Sequence, residues 1–342
     1  MAVSARRIFT RVLATILLVA VIAAAVVAFI FRQDLRDHIA ASQFEPTDEV
    51  VALTERIDLA PRGHRVFWAT RPTLDASQTF NEQCAQVDHI EEGHVLGCYV
   101  GGQIHLFYIT DERLNGIIEV TAVHELLHAG FARLGDEQRA TLVARLNELY
   151  AELSEADPVL EERMQVYQGL SKTAFANELH SVLGTEVREL PLWLEEHYAT
   201  WLEDRTLIVD YFDDYRSVFD DLKRQADALQ NELAALRADV EQRTAAYEAD
   251  VERYNSEWAD FLRRNEAFEF SGNPDEFYRL RDDFYDRRAV LGQEREQLNA
   301  DIARYEELRT QLMALSELNH ELTQQLDSEL APPAASLVEE VA

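Results

Sequence analysis

A long stretch that is almost free of glycine and proline places the strongest constraint on how this chain folds. From residue 206 onward, apolar side chains recur at steps of three and four, first from Leu222 to Phe261 and again from Leu298 to Leu326. Such spacing is typical of long α-helices that bury one apolar stripe against another helix. A strong turn signal, Ser-Gly-Asn-Pro, interrupts the pattern at residues 271–274.

Two helical arms of similar length about this turn predict an antiparallel coiled-coil hairpin over residues 206–328. A parallel dimer of long helices has the same periodicity, so the spacing leaves both arrangements open. Either arrangement offers a surface for a second copy of the chain or for a protein partner. Residues 329–342, which include Pro332 and Pro333, are predicted to form a disordered tail.

The charge of the chain argues against nucleic acid as a partner. The sequence carries 63 acidic and 32 basic residues, for a net charge of −31. Binding to nucleic acid requires clustered Lys and Arg that neutralise phosphates, and this composition does not provide them.

Residues 12–31 contain no charged side chain. A helix of this length rises about 30 Å, the thickness of the hydrocarbon core of a bilayer. Arg6, Arg7 and Arg11 precede the segment, which favours a cytoplasmic N-terminus for residues 1–11. We expect a single-pass anchor in the cell (inner) membrane, a stalk over 32–47, and an extracytoplasmic main domain. A cleaved signal peptide is the alternative.

The chain has two cysteines, Cys84 and Cys98. In an oxidising compartment we expect them to form a disulfide that closes a short loop. Two buried free thiols are the alternative.

The region 48–205 mixes helix and strand signals, which predicts an α+β domain that is mostly helical with a small sheet. Strands are predicted at 65–70, 94–100 and 103–109, with a hairpin turn at Gly101–Gly102 between the last two. Helices are predicted at 48–58 with Thr47 as N-cap, at 116–134, and at 173–183 with Gly184 as the stop signal.

The residues that carry chemistry are His124-Glu125-Leu126-Leu127-His128, an H-E-x-x-H motif on the predicted helix 116–134. Histidines four residues apart lie on one helix face, where both imidazoles can bind one Zn²⁺ ion. Glu125 then lies beside the open coordination position and can take a proton from a zinc-activated water.

A catalytic zinc site needs a third protein ligand. Phe131 and Leu134 occupy the positions where the extended H-E-x-x-H-x-x-G-x-x-H motif has its glycine and third histidine. We therefore choose Glu178, on the helix at 173–183. Here the sequence resembles the gluzincin group of zincin metallopeptidases, in which the third ligand is the glutamate of an N-E-x-x-S-D segment. Asn177, Glu178 and Ser181 match that segment, whereas Val182 replaces its final aspartate.

The competing ligands are His180 and Glu186. The resemblance implies a Tyr or His that stabilises the tetrahedral oxyanion, and His197 and Tyr198 are the candidates. It also implies that the strand before the active-site helix lines the cleft. An exposed edge of that strand, with Gln103, His105 and Phe107, would pair with an extended peptide substrate.

Two functions from different classes follow. The first is a membrane-anchored, extracytoplasmic zinc metallopeptidase that hydrolyses peptide bonds of a peptide or protein substrate, with Glu125 as general base. The second is a non-catalytic scaffold or adaptor that contains zinc and recruits an envelope partner through its coiled coil. Three protein ligands plus water would support the enzyme, and four protein ligands would support the scaffold.

Overall fold

The structure is a computed structural model that describes residues 16–23, 25–26, 29, 31–85 and 95–329. The predicted cytoplasmic segment 1–11 and the predicted tail from residue 330 lie outside the described residues. So do 12–15, 24, 27, 28 and 30 of the predicted membrane segment. Within the described part of the chain, a search for a helix that is long and apolar enough to cross a membrane finds none.

The chain is mostly helical, with one small sheet, which confirms the predicted α+β class in its coarse form. The first helices and strands are α1 (Arg32–Gln43), α2 (Asp48–Arg56), α3 (Pro61–Ala69), β1 (Thr73–Asp75), α4 (Ser77–Cys84), β2 (Gly97–Val100) and β3 (Gln103–Phe107). A 3₁₀ turn (Glu112–Leu114) leads into the helices α5 (Ile117–Ala132), α6 (Asp136–Ala156), α7 (Pro158–Gln165), α8 (Lys172–Glu186), α9 (Leu192–Tyr198), α10 (Arg205–Glu266) and α11 (Pro274–Leu326).

The chain divides into two compact units. We call the unit that runs up to Val218 and resumes at Leu322 the mixed unit, and Phe219–Glu321 the helical unit. In the mixed unit, α5 is the central helix of a large apolar core. Because its neighbours cover it on nearly every face, α5 is apolar almost all round, as expected of a fully buried helix.

The prediction of a strand at 65–70 is wrong, because these residues belong to α3. Pro61 occupies the first turn, where its missing N–H leaves no helical hydrogen bond unmade. Val66, Phe67 and Thr70 are buried. Their spacing of one and four residues gives one helical face rather than the alternating faces of a strand.

The stop at Gly184 is also wrong, since α8 continues to Glu186. A methyl group at Gly184 would collide with Leu127 of α5 and lie 2.9 Å from Cε1 of Tyr198. This glycine therefore allows helices to pack closely rather than ending one.

The predicted hairpin turn is confirmed. Gly101 and Gly102 join β2 and β3, and both have positive φ angles of 60° and 88°, which favour glycine. The sheet has the order β1-β3-β2, with β3 parallel to β1 and antiparallel to β2. Both edges of β3 are therefore paired.

The predicted disulfide is confirmed as well. Cys84 at the end of α4 is bonded to Cys98 in β2, with their Cα atoms 5.9 Å apart. The bond ties an edge of the sheet to a neighbouring helix.

Residues 32–47, predicted to be a stalk, include α1, which is part of the mixed unit. Asp37 of α1 is buried and makes two hydrogen bonds of 2.9 Å with the guanidinium of Arg133, which follows α5. Charges buried in this way are paired, so α1 is held against the end of the central helix.

In the helical unit, α10 and α11 pair antiparallel. Arg243 contacts Glu294 and Asp301, while Arg287 contacts Glu257. Residues later in α10 therefore meet residues earlier in α11. Near the turn, the rings of Phe261, Phe270 and Phe284 form a separate apolar cluster. The chain thus forms the helical hairpin that its periodicity predicts.

Candidate metal centre

His124, Glu125 and His128 lie on α5, where their side chains are almost completely buried. The two imidazole rings are one helical turn apart, with centroids separated by 4.7 Å. One ligand atom from each of the three residues lies within 4.8 Å of the others. This motif is therefore a compact group of atoms inside the protein that could hold a metal ion.

Glu178 reaches the same place from α8, the helix that packs against α5. Its Oε2 atom lies 3.4 Å from Nε2 of His128 and 3.8 Å from Nε2 of His124. The side chain of Glu178 is only 3% exposed. The structure thus brings together the three residues that the sequence predicts as ligands, although fifty residues separate the glutamate from the motif.

The spacing of these atoms suits a metal ion. Ligand atoms about 2.1 Å from a tetrahedral zinc ion lie about 3.4 Å apart, close to the distances between Glu178 and the two histidines. Two imidazoles and one carboxylate are donors that zinc accepts in catalytic sites. The residues present therefore fit a zinc ion.

Glu125 is a second carboxylate at this site, with a residue exposure of 4%. It follows His124 directly on α5, whereas Glu178 approaches from another helix. Two carboxylates beside two imidazoles give the site two candidates for the third ligand. The one that does not bind the metal remains next to it and can exchange a proton with a water molecule.

Ser181 connects the two histidines of the motif. Its hydroxyl donates a hydrogen bond of 3.2 Å to the backbone carbonyl of His124 and lies 3.3 Å from Nδ1 of His128. Because the hydroxyl has one proton and gives it to the carbonyl, it can only accept from Nδ1–H of His128. With Nδ1 protonated, Nε2 of His128, which faces Glu178, is the nitrogen that can exchange its proton for a metal ion.

The electrostatics of the site favour a cation. Burial by itself would raise the pKa of Glu178, but hydrogen bonds and attraction from His124 and His128 outweigh it, so this pKa is strongly lowered. Burial would lower the pKa of His128, but the interaction with Glu178 outweighs it and leaves this pKa raised. A buried carboxylate thus keeps its negative charge, which a metal ion can neutralise in place of a proton.

The two proposed oxyanion donors, His197 and Tyr198, lie on α9 but differ in burial and in hydrogen-bond partners. The hydroxyl of Tyr198 donates a 2.6 Å hydrogen bond to the carbonyl of His180 and is fully buried. Its only proton is therefore already used, and this placement does not support a role for Tyr198 in contact with substrate. His197 is partly exposed, and its Nε2 lies 2.8 Å from Nε2 of His180.

His180 and Glu186, the competing ligands, have other partners. His180 is fully buried and faces α9 through its contact with His197. Burial, together with the charges of neighbouring histidines, holds its pKa well below the usual value. Glu186 forms an ion pair of 3.1 Å with Arg163. Neither of these contacts directs the side chains of His180 and Glu186 to the two histidines of the motif.

The predicted substrate strand is wrong, because β3 is the central strand. Its N–H and C=O groups already bond to β1 and β2, so no edge remains for a peptide. His105 is buried, with Nδ1 2.9 Å from the hydroxyl of Thr73, and Phe107 packs on Phe80. Only Gln103, beside the turn, is exposed.

Within the described residues, the strand with an unpaired edge next to the site is β2. Leu96 O accepts a hydrogen bond from Phe107 N at 2.8 Å, so Leu96 and Phe107 are a hydrogen-bonded pair of the antiparallel ladder. Hydrogen-bonded and non-hydrogen-bonded pairs alternate along such a ladder. The N–H and C=O groups of Gly97 and Tyr99 therefore point away from β3. Gly97 also lies directly against Glu125.

Sequence patterns alone did not reveal the contacts that Ser181 and Gly97 make at this site. Ser181 follows Glu178 by three positions, so helical spacing already predicts that both face the same neighbour. No local signal identified Gly97, since its importance comes from a contact between β2 and α5.

Comparisons of this chain with protein-family models, with curated proteins and with solved structures found no match. The geometry of the site therefore carries the functional argument.

Proposed function

We propose that this protein is a zinc-dependent metallopeptidase that hydrolyses peptide bonds of a peptide or protein substrate. The observation that carries the proposal is the convergence of the Glu178 carboxylate on the two imidazoles of the H-E-x-x-H motif, at 3.4 and 3.8 Å. Two histidines and a distant glutamate are the ligand set of one class of catalytic zinc site, which keeps a fourth position for water.

His124, His128 and Glu178 would hold the metal. Zinc bound there supplies a Lewis acid that lowers the pKa of water to about 7 and polarises the carbonyl of the substrate. Ser181 keeps His128 in the tautomer that binds metal. The buried walls of α5 and α8 keep bulk water away from the charged ligands, which strengthens their interactions.

Glu125 would be the general base. Its carboxylate lies beside the ligand atoms, where it can accept the proton of the attacking water and deliver it to the leaving amine. The edge of β2 supports a peptide as substrate, because the backbone groups of Gly97 and Tyr99 that point away from β3 have the spacing with which an extended chain pairs. His197 is our candidate for the oxyanion donor, because it lies on α9 beside Tyr198 and, unlike Tyr198, is partly exposed.

The substitution Glu125→Gln tests this proposal. Gln keeps the size of the side chain but cannot accept a proton, so zinc-loaded protein should lose hydrolysis of an unstructured protein such as casein, by about 100-fold or more. The zinc content of wild type and variant, measured by elemental analysis, should be one ion per chain in both. Undiminished hydrolysis by the variant would overturn the role of Glu125, and an inactive zinc-loaded wild type would overturn the peptidase.

A closed structural zinc site is the second candidate. The observation that favours it is burial, since the side chains of His124 and Glu178 are 4% and 3% exposed and Glu125 is also covered. In this case Glu125 would be a fourth protein ligand, and the helical hairpin would recruit a partner. Glu125→Gln would then weaken zinc binding, which the peptidase proposal does not expect.

We also propose that residues 12–31 anchor the protein in the cell membrane with the mixed unit outside the cytoplasm. The absence of charge in this segment and the confirmed disulfide support the proposal. In a cell fractionation, deletion of residues 1–31 should move the protein out of the membrane fraction. A full-length chain found only in the cytosol would contradict the anchor.

A further inference from the structure

The contact between β2 and α5 places a glycine against the proposed general base. A methyl group at Gly97 would lie 2.9 Å from Cγ and 3.2 Å from Oε1 of Glu125, and 2.6 Å from Cγ2 of Thr121. Distances between carbon atoms in packed proteins are about 3.5–4.0 Å. The backbone of β2 therefore approaches the Glu125 side chain more closely at Gly97 than a residue with a side chain would allow.

The sheet holds this backbone in place from both sides of Gly97. Leu96 accepts a hydrogen bond from β3, and Cys98 is bonded to Cys84 of α4. Gly97 is therefore a fixed wall. The Glu125 side chain, packed between this wall and its own helix, has little freedom to change rotamer.

We propose that Gly97 is a positioning residue for the general base, and this inference rests on the proposed peptidase function. The missing side chain lets the wall of β2 confine the Glu125 carboxylate beside the metal ligands, where it exchanges a proton with water. Because proton transfer requires hydrogen-bond distance, a shift of about 1 Å in this carboxylate is enough to reduce turnover strongly.

The test is the substitution Gly97→Ala in the full-length chain loaded with zinc. The added methyl group must displace Glu125, Thr121 or the strand. We expect kcat on a peptide substrate to fall by about 10- to 100-fold. We expect zinc affinity to change by less than about 3-fold, since the three atoms nearest to the methyl group belong to Thr121 and Glu125 and not to a proposed ligand.

A second variant separates the two contacts. Thr121→Ser removes Cγ2 but keeps the hydroxyl, which donates to the carbonyl of Ile117 at 2.8 Å. In the double variant Gly97→Ala/Thr121→Ser, the clash with Thr121 is gone and the clash with Glu125 remains. We expect the thermal stability of the double variant to rise above that of Gly97→Ala, towards that of Thr121→Ser, while kcat stays low.

Gly169→Ala is the matched control, because a methyl group there would meet no described atom within 4 Å. It should keep the kcat and KM of wild type. The inference is overturned if Gly97→Ala keeps full kcat, or if the double variant regains kcat together with stability. These outcomes require an active wild type, whereas an inactive zinc-loaded wild type would overturn the proposed function itself.

Discussion

Replacing Glu178 by Gln tests whether the glutamate on α8 or the one on α5 is the third ligand. Gln has the same shape, so the packing of α8 on α5 is preserved. The change removes the negative charge that lies 3.4 Å from Nε2 of His128. Metal binding is the property that should respond, because the buried carboxylate is where the positive charge of the ion is neutralised.

The size of the effect follows from the number of ligands. Sites with four protein ligands bind zinc with a free energy of about 10–16 kcal/mol, so one ligand contributes about 3 kcal/mol. Loss of one ligand therefore raises the Kd for zinc by about 150-fold. At a zinc concentration 100 times the wild-type Kd, the metal stabilises the wild type by about 2.7 kcal/mol. Under the same conditions it would stabilise the variant by only about 0.3 kcal/mol.

Thermal unfolding with and without zinc measures this difference. For a unit of this size, the metal should raise the Tm of the wild type by about 5–10 °C and that of Glu178→Gln by about 1 °C. Competition with a chromophoric chelator gives the two Kd values directly. Glu125→Gln is the matched comparison, and it should bind zinc nearly as tightly as the wild type.

The opposite pattern would refute this reasoning. If Glu178→Gln binds zinc like the wild type while Glu125→Gln loses affinity by about 100-fold, the ligand is Glu125 and the proposed base is not free to act. Equal losses in both variants would indicate four protein ligands and would favour the closed structural site.

Three further predictions concern the surroundings of the site. Ser181→Ala should weaken zinc binding by about 10- to 100-fold in a chelator competition, because His128 loses the partner that sets its tautomer; unchanged affinity would contradict this role. Reducing the Cys84–Cys98 bond should lower the free energy of unfolding by about 3 kcal/mol in chemical denaturation, and reductant should have no effect on a variant in which both cysteines are Ser. Burial and the charge of Arg62 lower the pKa of His197 from 6.5 to about 4. Between these two pH values the unfolded chain therefore binds more protons at this residue than the folded chain does. The free energy of unfolding should therefore fall as pH drops from about 6.5 to 4, by about 2–3 kcal/mol at most, and His197→Gln should make the decline shallower.

Spacing within single helices predicted much of the candidate site. The step of four residues fixes His124 and His128 on one face, whatever the rest of the fold does. The same rule places Ser181 beside Glu178. The choice of Glu178 as the predicted third ligand came from the resemblance of residues 177–181 to the ligand segment of gluzincins.

Contacts between distant segments decided what local patterns could not. The run 65–70 has strand-like composition, but packing of Val66 and Phe67 into the core makes it helical. The order of the sheet depends on β1 pairing with β3, and this pairing removes the edge that the sequence assigned to the substrate.

The sequence by itself determined the two long helices and the turn between them, the glycine turn between β2 and β3, and the position of His124 and His128 on one face of α5, because each depends on residue types at short, fixed spacings. Only the tertiary structure decided that Glu178 reaches that face, that Tyr198 uses its hydroxyl on His180, and that Gly97 lies against Glu125. Each of these contacts joins elements that are far apart in the chain, and the packing of the whole core sets the distance between them.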